Sequence, residues 1–197
     1  MAQPKRYLLP PADFANRGLP IERISAGEVV LRIHRTALGA LHFGKSGANR
    51  FDDPQQVYGV CYVARTLEGA FAETCLRAVG TQFVATAFLE ARSFTIIETV
   101  KDLQLVRVHG PGLAQLGATS VVTGGDHAIS QAWSRAIHDH PSAPDGLLYR
   151  ANYDNGEICA ALFERCRNRL KLGPSEPLLS NRARLAALLD RYKVGLG

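Results

Sequence analysis

The sequence predicts an α+β fold, with a single mixed β-sheet as its core and helices on its flanks. Three observations support this prediction. Runs that alternate apolar and polar residues outnumber the amphipathic helical runs. The helical runs do not alternate regularly with the strand runs, as they would in a doubly wound parallel sheet. The chain has 197 residues, of which 46% are hydrophobic, and this is enough for one domain with a packed core.

An N-terminal arm is predicted at 1–28, and its first 20 residues are Pro-rich and irregular. The domain is predicted to follow at 29–197. Its first strand is predicted at 29–35, where Arg32 and His34 share one face. An arginine in an apolar strand is costly to bury without an anionic partner, so we expect a carboxylate or a phosphate to meet Arg32.

A loop at 36–56, rich in Gly, Asn, Asp and Pro, leads to a second strand predicted at 57–64. Long loops in compact domains are often functional. Tyr58 and Tyr62 share a face of that strand, which indicates either core packing or a stacking platform. The remaining predicted elements are a helix at 67–78, β-like runs at 83–100 and 103–108, a short helix at 110–117, a helix at 126–140 capped by Asp126, a strand pair at 146–151 and 158–166, and a C-terminal helix at 182–194.

Composition narrows the function classes. No run approaches the ~20 apolar residues of a membrane span, and the N-terminus lacks the apolar region of a signal peptide. We therefore expect a cytoplasmic protein with no membrane partner. The four cysteines have no CxxC spacing, and no further ligand can be placed beside the His-x-His pair at 138–140, so no metal site is predicted. The net charge of +5 suits an anionic partner without choosing among them.

Two motifs leave alternatives open. The segment GALHFGKS at 39–46 matches a Walker A motif with Lys45, and it would suit a P-loop-like nucleotide phosphotransferase. A true P-loop runs straight into a helix, whereas the next residues here are GANRFDDP. The second motif is a run of four basic residues, Arg165, Arg167, Arg169 and Lys171, which alternation could put on one strand face. This would suit a non-enzymatic nucleic-acid-binding module, or simply a charged edge strand.

Glu73 lies in the helix predicted at 67–78. At about 100° per residue, it lies on the flank of the apolar face centred on Leu67. Arg77 follows four residues later and would make an ordinary surface pair with it. Spacing alone therefore predicts a surface residue. A helix directly after a strand can also turn its flank towards a cleft beside the sheet, and Glu73 would then not be exposed.

Several features occur together in one order: Arg32 in LRIHR, the loop segment GANRFDDP, YGVCYVA, AFAET with Glu73, and DGLLYRAN near residue 150. This order resembles the RES-domain family over about residues 29–166. The resemblance implies an ADP-ribosyltransferase-like fold and a toxin of a bacterial toxin–antitoxin module. It also implies that NAD+ is consumed as a substrate, and the absence of a G-x-G-x-x-G motif agrees with this.

The resemblance also implies site residues. Arg32 and Glu73 match the family Arg and Glu, and Tyr62 matches the aromatic residue that precedes the Glu. These three are expected to be catalytic. Glu73 would stabilise the developing ribose cation, and Tyr62 would stack on nicotinamide. Residues expected to bind NAD+ are Arg50, Lys45, His42, Tyr58 and Asn152.

The family Ser position holds Ala151 here. A missing hydroxyl is expected to weaken hydrolysis, to favour transfer, or to give Asn152 a replacement role. The implied reaction cleaves the nicotinamide–ribose bond and passes ADP-ribose to a protein acceptor, which in one family branch is a phosphoribosyl-pyrophosphate synthetase, or to water or phosphate. The implied partner is an antitoxin with an Xre-like DNA-binding domain, and no direct contact with nucleic acid is expected.

Overall fold

The computed structural model describes residues 8–76, 80 and 82–197. Its strands are β1 (Ile21–Ile24), β2 (Val29–Arg35), β3 (Val60–Ala64), β4 (Phe83–Val84), β5 (Arg92–Thr99), β6 (Leu103–Arg107), β7 (Gly146–Arg150), β8 (Ile158–Phe163), β9 (Leu170–Pro177) and β10 (Gly195–Leu196). Its α-helices are α1 (Leu67–Cys75), α2 (Thr86–Glu90), α3 (Pro111–Leu116), α4 (Val121–Gly124), α5 (His127–His138) and α6 (Arg182–Arg191).

Eight strands form one sheet in the order β1-β6-β7-β8-β3-β2-β5-β9. Only β6 and β7 are parallel neighbours in this sheet, as far as the described residues show. The sheet is therefore mixed, and with helices packed on it the predicted α+β class is confirmed. β4 and β10 form a separate parallel pair. β1 lies within the segment predicted as an arm, but it pairs with β6 and is part of the sheet.

Two hydrophobic clusters occupy opposite faces of the central strands. Because side chains alternate along a strand, Leu147 and Ala161 enter one cluster while Leu148 and Leu162 enter the other. The first cluster also holds Phe71 of α1 and side chains of α5 and α6. This packing fixes α1 and α5 against the sheet. No helix in the described part of the chain is long and apolar enough to cross a bilayer.

Several predicted boundaries are wrong. The second strand begins at Val60 and not at 57, because Val57 and Tyr58 complete the preceding loop: the Val57 N–H donates to Asp53 Oδ2 at 2.8 Å. The predicted run at 83–100 turns through α2. The helix predicted at 67–78 is α1, which ends at Cys75: Leu76 follows the helix, and 77–78 lie outside the described residues.

The basic stretch does not form a strand face. Residues Glu164–Arg169 form a 3-10 helix, and only Lys171 of the four basic residues lies in a strand, β9. Arg165 donates to the His138 carbonyl at 2.8 Å, and Arg169 pairs with the buried Asp145 at 2.9 Å. Because these side chains point to separate partners, the structure does not support a nucleic-acid-binding strand.

Candidate functional site

A cleft of about 830 Å³ opens between β2, β3, α1 and the loop that joins the first two of these strands. Its volume is within the ~300–1,000 Å³ typical of ligand sites. Glu73 is the only carboxylate among the described residues that line it. The Lys and Arg side chains that line it are Arg32, Arg35, Lys45, Arg50 and Arg92. The cleft therefore combines a cationic wall with one acid.

Glu73 is half-buried and faces this cleft, because α1 packs with its flank beside the sheet. Thr66 caps α1 by accepting the Gly69 N–H at 3.0 Å. The Glu73 carboxylate is held at both oxygens: Oε2 accepts the Tyr149 hydroxyl at 3.0 Å, and Oε1 accepts the Asn152 N–H at 2.8 Å. The surface position that spacing alone predicts is wrong, and the cleft-facing position is correct. Arg77, its predicted surface partner, lies outside the described residues.

Arg32 lines the cleft from β2. Its Nη1 donates to the carbonyl oxygens of Ala40 and His42, at 2.5 and 3.0 Å, and contacts Cys61 Sγ at 2.8 Å. No carboxylate pairs with Arg32 among the residues that the structure describes. The predicted carboxylate partner is therefore absent from that part of the chain, and the guanidinium charge is oriented but not neutralised.

Arg50 reaches the cleft from the loop. Its Nη1 donates to the Gly125 carbonyl at 2.8 Å and lies 3.5 Å from Ser130 Oγ. The loop itself is fastened to α5 by Gln131, whose Nε2 donates to the carbonyls of Gly47 and Asn49 at 2.9 and 3.1 Å. α5 therefore positions the loop that carries Arg50.

Tyr62 lines the cleft from β3, and its hydroxyl is tied to the loop. It donates to Asp52 Oδ1 at 2.9 Å and accepts the Phe51 N–H at 3.0 Å. Burial, followed by the charge of Asp52, raises the pKa of Tyr62 well above its ordinary value, so the hydroxyl stays protonated. The other oxygen of the fully buried Asp52 accepts from Ser46 Oγ at 2.8 Å and from the Asn49 backbone and side-chain nitrogens at 3.1 and 2.9 Å.

Lys45 and His42 also line the cleft. Lys45 is engaged by Glu164, with Nζ and Oε2 3.0 Å apart, and this pair lowers the Glu164 pKa. After Ser46 the next α-helix along the chain begins only at Leu67. A P-loop needs a helix N-terminus directly behind its lysine. The structure therefore does not support the P-loop reading of GALHFGKS.

Tyr58 does not line the cleft. It is buried, it stacks on His138 with ring centroids 3.8 Å apart, and its hydroxyl lies 3.1 Å from Ser134 Oγ. Of the two predicted roles, core packing is correct. Asn152 lines the cleft, whereas Ala151 is buried and is not among the lining residues.

Sequence reasoning missed Tyr149 and His34. Tyr149 lies two positions before Ala151 on β7, so strand alternation could have placed it beside the family Ser position. Its pKa is raised well above the ordinary value by burial and by Glu73, so its hydroxyl remains a donor. His34 is buried at the cleft wall with Nε2 2.9 Å from Thr95 Oγ1, and burial lowers its pKa.

Comparison with known proteins agrees with this geometry. Residues 29–180 match the RES domain, which is more than half of the chain. The chain belongs to the RES domain family. This RES protein is 31% identical over 122 residues to the probable toxin y4kH of Sinorhizobium fredii, a match that covers 60% of this chain and 95% of that protein.

The fold is similar to a solved structure from M. tuberculosis, the MbcT–MbcA toxin–antitoxin complex. The TM-score is 0.65 at 20% identity, and the match covers 87% of this RES protein and 91% of the other chain. At this identity the likeness establishes the fold, and it agrees with the predicted mixed sheet flanked by helices.

Proposed function

We propose that this RES protein is the toxin of a bacterial toxin–antitoxin system and that it consumes NAD+ in the cleft. It breaks the nicotinamide–ribose bond and passes the ADP-ribosyl group to a protein acceptor, or to water or phosphate. One observation carries the proposal: Glu73, the single acid among the described lining residues, is held by Tyr149 and Asn152 within a cationic cleft. The names of the toxin relative and of the toxin–antitoxin neighbour support the biological role.

Glu73 supplies the charge that this reaction needs. As the bond breaks, its electron pair leaves with nicotinamide, which becomes a neutral ring, and the ribose becomes oxocarbenium-like. No general acid is needed for that departure. A fixed carboxylate beside the ribose stabilises the cation electrostatically. The two hydrogen bonds on Glu73 set its orientation before the substrate arrives.

Arg32 and Arg50 hold the pyrophosphate in this proposal. Both line the cleft, and both have their described partners on Nη1, which are neutral: carbonyls, a thiol and a hydroxyl. A guanidinium that is oriented but unneutralised is suited to bind phosphate oxygens in a planar fork. Tyr62, with its hydroxyl fixed by Asp52, presents its ring as a wall for nicotinamide.

The acceptor gives its proton to solvent water as its bond to the ribose carbon forms. With Ala151 at the family Ser position, no side-chain hydroxyl is supplied there, and Asn152 is the neighbour that lines the cleft. We favour transfer to a protein acceptor for this reason, with a phosphoribosyl-pyrophosphate synthetase as the acceptor to test first. A cognate antitoxin, with an Xre-like DNA-binding domain, is the expected partner that covers the cleft.

Replacing the carboxylate tests the reaction. Glu73→Gln keeps the side-chain size and removes the charge, so nicotinamide release from NAD+ is expected to fall by about 100-fold or more. The matched control is Glu98→Gln, a half-buried position on β5 outside the cleft, which is expected to keep the parental rate. Labelled NAD+ incubated with host extract separates protein transfer from release of small molecules.

Parental protein that releases no nicotinamide and labels no acceptor would overturn the proposal. A Glu73→Gln variant that keeps full activity would overturn the role of Glu73 while leaving the activity itself intact.

A further inference from the structure

A second group of basic side chains lies outside the cleft, at one end of the sheet. Arg107 is the last residue of β6, and Arg150 is the last residue of β7, its parallel neighbour. His109 follows two residues after β6. Arg65 directly follows β3, and its N–H donates to the carbonyl of Ile158, the residue paired with Arg150. We call Arg65, Arg107, His109 and Arg150 the basic end cluster.

One acid faces this cluster. Glu22 of β1 forms an ion pair with Arg65. The charged groups that act on His109 are Glu22 and the three arginines of the cluster. Arg150 Nη1 donates to a neutral acceptor, the Asn155 carbonyl, at 2.5 Å. In the described part of the chain, three permanent positive charges and one negative charge therefore act on His109, which favours binding of a further anion.

Two nitrogens of the cluster lack partners. Arg107 Nε and His109 Nε2 are buried and make no hydrogen bond to any described residue. A buried polar atom without a partner costs about 1–3 kcal/mol, and buried polar groups in native proteins are nearly always satisfied. Oxyanions accept from arginine and from the imidazole N–H, so such a ligand would satisfy both nitrogens.

A groove begins at Arg150 and provides room for the rest of a ligand. Its volume is about 420 Å³. Besides Arg150, it is lined by polar residues suited to bind hydroxyl or amide groups: Ser120, Thr123, Asn152 and Asn155. No Asp or Glu lines it in the described part of the chain. The groove therefore offers several hydrogen-bonding groups, and its described lining carries no negative charge that would repel an anion.

We propose that the basic end cluster binds the phosphoryl group of a small phosphorylated ligand, held by Arg107, His109 and Arg150, with the remainder of the ligand in the adjoining groove. The phosphoryl position lies outside the cleft that holds Glu73, and Asn152 lines both that cleft and the adjoining groove. Phosphate binding at the basic end cluster does not depend on the NAD+ reaction, so the two proposals fail independently.

His109 reports the occupancy of the site. In the free protein, burial lowers its pKa. A bound phosphate beside the ring favours the charged imidazolium, so the midpoint of the His109 titration is expected to rise by about one pH unit in inorganic phosphate relative to chloride. Proton NMR of the imidazole C–H signals measures the midpoint, and a His109→Gln variant assigns the signal.

Variants of the cluster separate it from the cleft. Arg107→Gln and, independently, Arg150→Gln are expected to abolish the phosphate response. Arg32→Gln, which weakens phosphate binding in the cleft, is expected to leave it intact, as is the surface control Arg23→Gln. An identical His109 midpoint in phosphate and chloride overturns the proposal. So does a response that survives in folded Arg107→Gln and Arg150→Gln proteins.

Adenosine monophosphate distinguishes free phosphate from a phosphorylated metabolite. If adenosine monophosphate half-saturates the His109 response at a lower concentration than inorganic phosphate does, and Arg150→Gln removes this difference, the ligand uses the groove. Half-saturation at an equal or higher concentration overturns the assignment of the groove to the ligand.

Discussion

At the scale of single residues, the site depends on donors that fix Glu73. Tyr149 lies 76 residues away from it in sequence, yet its hydroxyl contacts Oε2. The Asn152 N–H occupies the other oxygen. Hydrogen bonds to a charged group contribute about 1.5–3 kcal/mol each, so both donors restrain the orientation of the carboxylate.

Tyr149→Phe removes one donor and keeps the ring in the core. We expect the rate of nicotinamide release to fall by about tenfold, which corresponds to the loss of ~1.4 kcal/mol of orientation and charge stabilisation. Steady-state assays measure this change, with Tyr192→Phe as a control because its hydroxyl bonds to Asp154 outside the cleft. Equal rates in both variants would show that the Tyr149 hydroxyl does not support Glu73.

The site could be predicted in part from local pattern. Arg32 stood out as a charge within an apolar strand, and Glu73 stood out through the family resemblance. Alternation along β7 places Tyr149 beside position 151 but does not reveal its bond to Glu73, and neither this bond nor the contact between His34 and Thr95 could be found from local pattern, because both join distant segments. The helical wheel also gave the wrong prediction of a surface position for Glu73, because it describes an isolated helix without the sheet packed beside it.

At the scale of elements, α5 acts as the support of the cleft loop. Its Gln131 holds two loop carbonyls, and Ser134 Oγ donates to the Phe51 carbonyl at 2.7 Å. Arg135 reaches Asp53 in the same loop at 3.2 Å. Ser134 and Arg135 follow Gln131 by three and four positions, which places all three on one face of the helix.

Gln131→Ala is expected to loosen that loop. It removes two hydrogen bonds, so the free energy of unfolding falls by about 1–2 kcal/mol, and amide hydrogen exchange rises around 47–50. Because Arg50 lies in the same loop, we expect the KM for NAD+ to rise more than kcat falls. Gln115→Ala on the exposed face of α3 is the control. Unchanged exchange at 47–50 would contradict the role of Gln131.

Elements with strong periodicity were predicted well, and those fixed by tertiary contacts were not. The strand at 29–35 has the predicted limits. β9 was missed because LKLGPSEP contains Gly, Pro and charges, and among the described strands it pairs with β5 alone, at the edge of the sheet. The start of β3 was misplaced because Tyr58 stacks on His138, a contact that local alternation does not reveal.

At the scale of the whole molecule, burial controls titration. His34, His109 and His138 all have a pKa below the ordinary 6.5, with desolvation as the leading cause. The folded protein therefore keeps these rings neutral while the unfolded chain protonates them. Stability is fully present above about pH 6.5 and is lost as pH falls from there towards the folded-state pKa values.

Thermal unfolding at two pH values tests this linkage. We expect Tm to be lower at about pH 5.5 than at about pH 7.5. His34→Gln removes one of the three contributions, so its drop is expected to be smaller. A His34→Gln variant with the same drop as the parent would contradict the contribution of His34.

The four cysteines give a second readout of the packed core. All are buried and free, and burial raises the pKa of Cys75 and Cys166 to about 12. Because thiolates are the reactive form, we expect no alkylation of the native protein at about pH 8 and four modified cysteines after unfolding, counted by mass spectrometry. Rapid labelling of the native state would show that the core opens.

The surroundings of Arg32 affect how charged and uncharged ligands enter and leave the cleft. Carbonyl oxygens and a thiol orient this side chain without cancelling its field. In the proposed reaction, an incoming dinucleotide would be attracted over a Debye length of about 8 Å at physiological ionic strength. The uncharged nicotinamide fragment feels almost none of it. If the protein consumes NAD+ as proposed, charge would draw the reactant into the cleft and let the released nicotinamide diffuse away.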